Sequence, residues 1–360
     1  MKLLFFSVNR SPFMVELVDN MYNYLPSGSE VKMILQYPME AERSHWGEKN
    51  CNNPIDIFFN SAPIELFLSK ENPDTIIYSS FRTPNFMRAK KWAKKNGVKF
   101  FVYSGEKLLE YGHGSLYMWL KYKFFQYRMR GVDGQIAISN RAMGLYQKYC
   151  TAPTIVVPYT FDMTRLLSFT PLEYDGKSLT FLISGRLEPF RDPIYSIRLF
   201  ADLKKLRPNI DMKLIISGKG SLYDDILKLL DELNIGDCTT WMNDFKEWSE
   251  IHEIYKKAHV LLCLQAYGGW GLVIPEAMAA GMLVAGSSGV DSADNLIIDG
   301  YNGLYCNTMA RDVIIKSMLD VFDNPSEFNS IRRRAKECAK YGDVFHYAKQ
   351  LVSFIQNNKQ

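Results

Sequence analysis

Short apolar runs alternate along the chain with longer segments in which apolar residues recur every three or four positions. The short runs predict β-strands and the longer segments predict α-helices. Several runs are apolar at every position, which is typical of parallel strands covered by helices on both faces. In the first half we expect strands at residues 2–7, 31–37, 75–79, 99–103, 135–138 and 154–157, and helices at residues 14–25 and 85–96.

The second half repeats this alternation. Predicted strands lie at residues 180–184, 213–217 and 260–264, and predicted helices at 193–206, 223–233 and 248–258. A chain of 360 residues is longer than a single hydrophobic core usually supports. We therefore expect an α/β protein of two Rossmann-like, doubly wound parallel-sheet domains facing a cleft. Their expected bounds are residues 1–165 and 166–335, with a helix in residues 336–360 returning to the first domain.

Composition and charge narrow the class of protein. The net charge of +4 is mild, and we expect no nucleic-acid partner. The six cysteines are scattered without a C-x-x-C pair, which favours a reducing compartment and no structural zinc. No apolar run approaches the ~20 residues of a membrane span. The expectation is a cytoplasmic protein, soluble or bound peripherally at the cytoplasmic face of the membrane.

The loop after the predicted strand at 180–184 carries two arginines. The strand ends at Gly185, Arg186 and Arg191 follow, and Asp192 before a proline predicts the start of the next helix. Two guanidiniums beside a helix start suit a phosphate. The alternative interpretation is two surface arginines that pair with Glu188 and Asp192.

A second glycine loop follows the predicted strand at 213–217. It reads Ser217-Gly218-Lys219-Gly220. Because the third glycine of G-x-G-x-x-G is absent, it is a weak dinucleotide fingerprint. Gly218 is nevertheless a candidate for close approach of the backbone to a ligand.

The third loop, at residues 267–281, reads YGGWGLVIPEAMAAG. Its glycines would let the backbone approach a ligand, and the free amides of a helix start can bind an anion. Glu276 lies about one turn inside the helix and points back toward its start. A carboxylate suits the neighbouring hydroxyls of a ribose, which donate hydrogen bonds. Together the three loops predict a site for a nucleotide diphosphate.

These loops carry the motifs of a known group, and the chain resembles the retaining nucleotide-sugar glycosyltransferases of the GT-B fold, glycosyltransferase family four. The resemblance is strong over residues 182–304 and only architectural before them. The matching residues are Gly185-Arg186-Leu187 with Arg191, Ser217-Gly218-Lys219-Gly220, Gly269-Trp270-Gly271-Leu272 with Pro275-Glu276-Ala277-Met278-Ala279-Ala280-Gly281, and Asp299-Gly300-Tyr301-Asn302-Gly303-Leu304.

The resemblance implies roles for particular residues. Arg186 and Arg191 would neutralise the leaving diphosphate, and Glu276 would bind the ribose hydroxyls. The backbone of the remaining glycine-rich positions would hold the phosphates and the donor sugar. Those donor-binding positions are Gly185, Gly218, Gly269, Trp270, Gly271 and Leu272. The resemblance also implies transfer with retention by front-face attack, in which the leaving phosphate takes the acceptor's proton.

The implied reaction moves a hexose or N-acetylhexosamine from a nucleotide diphosphate sugar to a glycan or lipid-linked acceptor in surface polysaccharide or glycoconjugate synthesis. We expect UDP first and GDP next as the nucleotide, and no cofactor. No D-x-D motif occurs, which predicts metal-independent transfer with arginines in place of a cation. The alternative is a catalytically weak nucleotide-sugar-binding relative, because Gly268 stands where the family usually has a glutamate. A nicotinamide-dependent dehydrogenase is disfavoured by its missing glycine fingerprint.

The first half departs from the family pattern. The loop at residues 7–12 lacks the usual glycine pair, and a YSGE sequence replaces the usual histidine after the strand at 99–103. Glu106, His113 and Arg10 are the candidates for lining the cleft there, and a structural role for Glu106 and His113 is the alternative. We expect His45, His252, His259 and His346 to be structural.

The segment from Ser115 to Arg130 predicts a helix with two apolar stripes and basic residues between them. One stripe holds Leu116, Leu120, Phe124 and Tyr127, and the second holds Met118, Tyr122, Phe125 and Met129. A helix on a domain surface needs one stripe only. The second stripe is either covered by a neighbouring element or, with the basic run between Arg82 and Lys99, meets an anionic membrane or a lipid-linked acceptor.

Overall fold

The computed structural model describes residues 1–8, 10–37, 55–57, 63–105, 115–243, 250, 252–307 and 309–358. The chain forms two units. One contains Met1–Asp162 with Asp343–Gln360, and the other contains Met163–Gly342.

A parallel sheet organises the first unit. Its strand order is β3-β2-β1-β4-β5-β6-β7, and every described neighbouring pair is parallel. The strands are β1 (Lys2–Ser7), β2 (Glu30–Leu35), β3 (Ile55–Ile57), β4 (Thr75–Ser79), β5 (Lys99–Ser104), β6 (Gly134–Ala137) and β7 (Thr154–Val156). The helices between them are α1 (Pro12–Tyr22), α2 (Ile64–Glu71), α3 (Phe86–Lys95), α4 (Ser115–Met129) and α5 (Asn140–Tyr149).

The second unit is built around its own parallel sheet, with strand order β10-β9-β8-β11-β12-β13. Its strands are β8 (Ser178–Ser184), β9 (Asp211–Ser217), β10 (Thr239–Trp241), β11 (Val260–Cys263), β12 (Leu283–Ser287) and β13 (Leu304–Cys306). Its helices are α6 (Thr164–Leu167), α7 (Pro193–Leu206), α8 (Tyr223–Glu232), α9 (His252–Tyr255), α10 (Val273–Ala279), α11 (Asp291–Leu296), α12 (Arg311–Phe322) and α13 (Pro325–Ala339).

Both sheets reverse their strand order once, and the reversal in the second unit matters for the site. From β8 the chain builds outward through β9 and β10, and then returns to pair β11 with β8 on the other side. Ligands of open α/β sheets bind outside the carboxyl ends of the strands at such a reversal. The loops after β8 and β11 are therefore the expected position of a ligand.

The last helix, α14 (Val344–Asn357), belongs to the first unit although it follows the second in sequence. Its buried stripe includes Leu351, Val352 and Ile355, and it packs against α1. The ring of Phe354 meets that of Phe101 edge-on, with centroids 5.9 Å apart.

The α/β fold with two parallel sheets is confirmed, and most predicted elements lie where the pattern indicated. Two strands, β1 and β4, have the predicted bounds. The helix predicted at 248–258 ends earlier in the structure, because α9 stops at Tyr255 and residues 256–258 are not helical. Residues 248, 249 and 251 lie outside the described residues. Strand β12 follows the glycine-rich helix closely and was not predicted.

Helix α4 buries one of its two apolar stripes. The buried stripe is the second one, for which we considered contact with a membrane. Phe125 is 1% exposed and packs on Phe81 and Tyr146, with ring centroids 5.2 and 5.6 Å away. Met118 and Met129 are also buried. A membrane role for this stripe was therefore wrong, because it forms part of the core of the first unit.

The other stripe of α4 remains exposed. Its members and their neighbours are between 50% and 69% exposed, namely Leu116, Tyr117, Trp119, Leu120, Phe124 and Tyr127. No helix in the described part of the chain is both long and apolar enough to cross a membrane.

A buried arginine on α13 anchors the end of α10. Arg332 is 3% exposed. Its Nε donates to the carbonyl oxygen of Gly281 at 2.8 Å, and its Nη1 donates to the carbonyl oxygen of Leu172 and, at 3.1 Å, to Oδ1 of Asn329. Burial lowers the pKa of Arg332 to about 10, and the guanidinium stays satisfied because it has three acceptors.

Replacing Arg332 by Met should lower the free energy of unfolding by about 3 kcal/mol, because buried carbonyl groups would lose their donors. Urea unfolding followed by tryptophan fluorescence measures this. Arg333→Met, at an exposed position on the same helix, is the control and should stay within about 0.5 kcal/mol of the parent. Equal stability of the two variants would contradict the anchoring role.

Candidate functional site

The loop after β8 carries the two predicted arginines. Gly185 and Arg186 are exposed, and Arg191 closes a short 3-10 helix, Pro189–Arg191. Asp192 accepts from the backbone amide of Tyr195 at 3.3 Å and begins α7, which confirms the predicted N-cap. Glu188 accepts from the amide and hydroxyl of Ser221. Both carboxylates thus accept hydrogen bonds from neighbouring residues, and the Ser221 bonds, followed by the charge of Arg186, lower the pKa of Glu188.

Arg191 is half-buried and reaches toward the next loop. Its guanidinium lies 5.4 Å from the ring centroid of Phe190, and Nη1 lies 3.5 Å from Oε1 of Gln265. Burial lowers the pKa of Arg191, and the positive charge of Arg186 lowers it further. Its Nε has no hydrogen-bond partner among the described residues. An anion at this position would both neutralise the charge and satisfy the free donor.

The close backbone approach expected at Gly218 exists, but to another loop. A Cβ placed on Gly218 would lie 1.7 Å from the carbonyl oxygen of Gly185. Gly185 donates from its amide to the carbonyl of Ser217 at 2.9 Å, and Gly218 donates to Oδ1 of Asn243 at 2.7 Å. Glycine at 218 is therefore required for packing the loops after β8 and β9. Contact of Gly218 with a ligand stays a prediction.

The loop from Gly268 to Leu272 turns its carbonyl groups toward the start of α11. Gly269 accepts from the amide of Asp291 at 3.2 Å, Trp270 from that of Ser292 at 2.9 Å, and Gly271 from the Ser292 hydroxyl at 2.9 Å. The described peptide bonds are all trans, and the two polar groups of a trans peptide point in opposite directions. The amides of Trp270, Gly271 and Leu272 therefore point away from α11, in an arrangement suited to an anion.

Glu276 is buried on α10 and held by a tyrosine. It is 4% exposed, and Oε2 accepts a short hydrogen bond from the hydroxyl of Tyr255 on α9. Its Oε1 has no partner in the described part of the chain. Burial raises the pKa of Glu276 to about 7, although the Tyr255 hydrogen bond acts in the other direction. One carboxylate oxygen is thus held in place and the other is available to a ligand.

Two short networks connect these groups at the carboxyl ends of β8, β11 and β12. Tyr255 bonds to Ser184 as well as to Glu276. Arg191 contacts the side chain of Gln265, and the backbone amide of Gln265 donates to the hydroxyl of Ser287 at 2.9 Å. The structure therefore brings the arginine loop, the glycine-rich loop and the acidic helix together at one edge of the second sheet.

Arg10, the remaining candidate that the structure describes, belongs to the first unit. It is half-buried between β1 and α1. Glu106, His113 and His45 lie outside the described residues. The Asp299–Leu304 motif forms a turn before β13, in which buried Asn302 accepts from the amide of Ile298 at 2.7 Å.

Two of the predicted structural histidines, His259 and His346, have local hydrogen-bond partners. Nδ1 of His259 accepts from the amide of Thr180 at 3.0 Å. Burial lowers the pKa of both His252 and His259 to about 4. Exposed His346 bonds to Gln350.

Sequence reasoning missed Tyr255, Gln265 and Asn243. Tyr255 stands 21 residues before its partner Glu276, and Arg191 stands 74 residues before Gln265. Neither separation has a sequence signature. The only local signal was a lone polar residue, Gln265, directly after an apolar strand.

Comparison with known proteins supports the class of protein. Residues 167–340 match the family described as glycosyl transferases group 1. A Campylobacter jejuni protein, N-acetylgalactosamine-N,N'-diacetylbacillosaminyl-diphospho-undecaprenol 4-alpha-N-acetylgalactosaminyltransferase, is 24% identical over 180 residues. That match covers 49% of this chain and 46% of the relative, so it spans about half of each.

Solved structures match over nearly the whole chain. Anabaena Alr3699/HepE in complex with UDP and glucose has a TM-score of 0.72 at 14% identity, covering 99% of this chain and 100% of that one. The lipopolysaccharide outer core galactosyltransferase WaaB, in its apo form, has a TM-score of 0.73 at 17% identity with the same coverage.

The chain therefore has the GT-B fold shared by these structures, two Rossmann-like parallel-sheet units joined in one polypeptide. Through residues 167–340, just under half of its length, it resembles the glycosyl transferases group 1 family.

Glu276→Gln should change how stability depends on pH. The pKa of the Glu276 carboxyl group is about 7 in the folded protein and about 4.5 in the unfolded chain. The free energy of unfolding of the parent therefore falls as pH rises from about 4.5 through about 7. The glutamine side chain of the variant is neutral at every pH in this range, so the variant does not lose this stability. Between pH 5 and pH 8 the variant should gain roughly 2 kcal/mol over the parent, measured by urea unfolding.

Glu232→Gln, at an exposed position at the end of α8, is the control and should follow the parent across this range. Parallel pH profiles for Glu276→Gln and the parent would contradict the burial of an ionisable carboxyl group at this position.

Proposed function

We propose that the chain transfers a hexose or N-acetylhexosamine from a nucleotide diphosphate sugar to a glycan or lipid-linked acceptor, with retention at the anomeric carbon. UDP is the favoured nucleotide and GDP the next. This proposal rests on one observation at the edge of the second sheet. Among the described residues, half-buried Arg191 keeps a donor without a partner, and buried Glu276 keeps an acceptor without a partner.

The diphosphate fits the positively charged part of this edge. Arg186 is exposed, Arg191 is half-buried, and the amides of Trp270, Gly271 and Leu272 point to one side of their loop. As the bond to the sugar breaks, negative charge develops on the leaving diphosphate. Donors that are already oriented stabilise that charge with little reorganisation, and this supplies catalytic energy.

The ribose fits Glu276. Oε2 accepts from Tyr255, so Oε1 faces the ligand in a defined orientation, and an ionised carboxylate oxygen can accept from both hydroxyls of a vicinal diol. Burial disfavours the ionised form, but two donated hydrogen bonds favour it. Nucleotide binding and ionisation of Glu276 are therefore coupled.

The exposed face of α4 supports an acceptor at a membrane surface. It carries the six exposed apolar side chains described above with Lys121, Lys123 and Arg130, and residues 115–130 contain no acid. Such a face complements an anionic lipid surface, into which the aromatic and leucine side chains can insert. The name of the Campylobacter jejuni relative specifies a diphospho-undecaprenol acceptor for that protein. We therefore propose peripheral association at the cytoplasmic face of the membrane.

Not all cations near this face are available to lipid. Arg128 donates to the carbonyls of Phe81 and Thr83 at 2.8 and 2.9 Å. Lys90 donates to the carbonyls of Arg128 and Arg130, and burial lowers its pKa to about 8. Arg88 pairs with Glu65. Part of the basic run at 82–99 thus holds the first unit together.

A thermal-shift panel of UDP, GDP, ADP and CMP in metal-free buffer tests the site. The matching nucleotide at 100 times its Kd should add about 2.7 kcal/mol of stability. Arg186→Ala should lower turnover by about 10²–10³-fold, as expected when one oriented stabiliser of developing charge is removed.

Arg198→Ala, an exposed arginine on α7, is the matched control and should keep the parent's turnover. No shift with any nucleotide would overturn the site assignment, and an Arg186→Ala variant within about threefold of the parent would remove that residue from it. Nucleotide binding without release of nucleoside diphosphate on adding acceptor would favour the catalytically weak alternative.

Sedimentation with vesicles tests the membrane face. The protein should bind phosphatidylglycerol-containing vesicles at low salt and neutral vesicles much less. Phe124→Glu should weaken that binding by about tenfold or more, because burying one large apolar side chain is worth about 1.5–3 kcal/mol. Leu66→Glu, at an exposed apolar position on α2, should leave it unchanged. Binding insensitive to Phe124→Glu would remove α4 from the interface.

A further inference from the structure

Gln265 is a buried polar side chain that none of the roles above uses. It is 1% exposed and lies two residues after the end of β11. Its backbone is held on both sides by Ser287, whose hydroxyl accepts from the Gln265 amide at 2.9 Å and donates to the Gln265 carbonyl at 2.6 Å. These two bonds fix the backbone position from which the Gln265 side chain extends.

The orientation of the Gln265 carboxamide follows from its neighbour. Arg191 can only donate hydrogen bonds, so the oxygen Oε1 must face Nη1 of Arg191, 3.5 Å away. The nitrogen Nε2 then faces the other way. It is buried and lacks a partner among the residues that the structure describes. A buried donor without a partner costs about 1–3 kcal/mol, so it is a position where a ligand would be expected to supply the acceptor.

The unpartnered amide lies directly over Gly268. A Cβ placed on Gly268 would be 2.4 Å from Nε2 and 2.9 Å from Cδ of Gln265. Any side chain at 268 would therefore have to displace the carboxamide. Position 268 and the end of the Gln265 side chain compete for the same space, and in this chain the glutamine occupies it.

We propose that Gln265 determines which donor sugar is accepted, by donating a hydrogen bond from Nε2 to an acceptor oxygen of the sugar. This inference rests on the proposed function, because it assumes that Arg191 binds the diphosphate. The donor sugar is covalently attached to that diphosphate. Because the Gln265 side chain contacts the arginine that binds the phosphate, it is within reach of the sugar ring.

The chemistry of the amide restricts what it can recognise. Nε2 donates, so its partner must be an oxygen that accepts, such as a ring hydroxyl in one epimeric configuration or the carbonyl of an acetamido group. A carboxylate at the same place would accept from hydroxyls and repel an anionic sugar, whereas the neutral amide does neither. Donors that place an acceptor oxygen here should be preferred over epimers that do not.

Gln265→Met tests this, because methionine keeps the length of the side chain and removes its polar groups. We would measure kcat/KM for UDP-glucose, UDP-galactose, UDP-N-acetylglucosamine, UDP-N-acetylgalactosamine and UDP-glucuronate. The variant should lose about tenfold for the preferred donor and less for the others, consistent with one hydrogen bond. Gln147→Met, at an exposed position on α5, should keep the parent's ratios.

The affinity for UDP alone separates the two proposals. Gln265→Met should bind UDP within about threefold of the parent, because loss of the long Arg191 contact is a small change. If the parent does not bind UDP, the UDP assignment fails and this inference fails with it. If the parent and variant bind UDP equally and keep the same donor ratios, the inference is wrong and the proposed function stands.

A second measurement tests the competition for space without requiring turnover. Gly268→Glu should lower the Tm of the parent, because the new side chain must displace a buried amide. In a Gln265→Ala background the same substitution should lower the Tm by less than half as much, since residues in contact show non-additive effects. Additive changes in Tm would overturn the claim that the two positions share one space.

Discussion

The parallel pairing of β8 with β11 is the constraint on which the rest of the site depends. Val260 stands opposite Phe181 and Leu261 opposite Leu182, although these residues are far apart in sequence. Because parallel strands end at the same edge, the loops that follow them meet there. One loop supplies Arg191, the other supplies Gln265 and the glycine-rich turn, and the helix after it supplies Glu276.

Near this pair of strands, several polar groups have no hydrogen-bond partner among the described residues. Arg191, Gln265 and Glu276 are each buried in part or whole, and each keeps one polar atom without a partner among the described residues. Arg332, on the same unit, is as deeply buried but has three acceptors. Unsatisfied groups reduce stability. Their concentration at one sheet edge is expected of a site completed by its ligand.

The first unit divides α4 between two environments. Phe125 completes a cluster with Phe81 and Tyr146, while the opposite stripe stays exposed beside three cations. The carbonyl groups at the end of the helix are satisfied by Lys90. One residue of the basic run that suggested an electrostatic surface, Lys90, thus serves as an internal cap and is not available to a membrane.

The sequence by itself determined the α/β class, the strands apolar on both faces, the start of α7 at Asp192 and the loops that hold Arg186, Arg191 and Glu276. These follow from local pattern, which specifies which faces can be buried and where a helix can begin. Strands of three residues, such as β10 and β13, are too short to show a period. Only the tertiary structure decided which stripe of α4 faces the core, that Gly218 approaches Gly185, and that Tyr255 and Gln265 join the site. Each of these is a contact between residues distant in sequence, and local periodicity carries no information about which partner a buried group will meet.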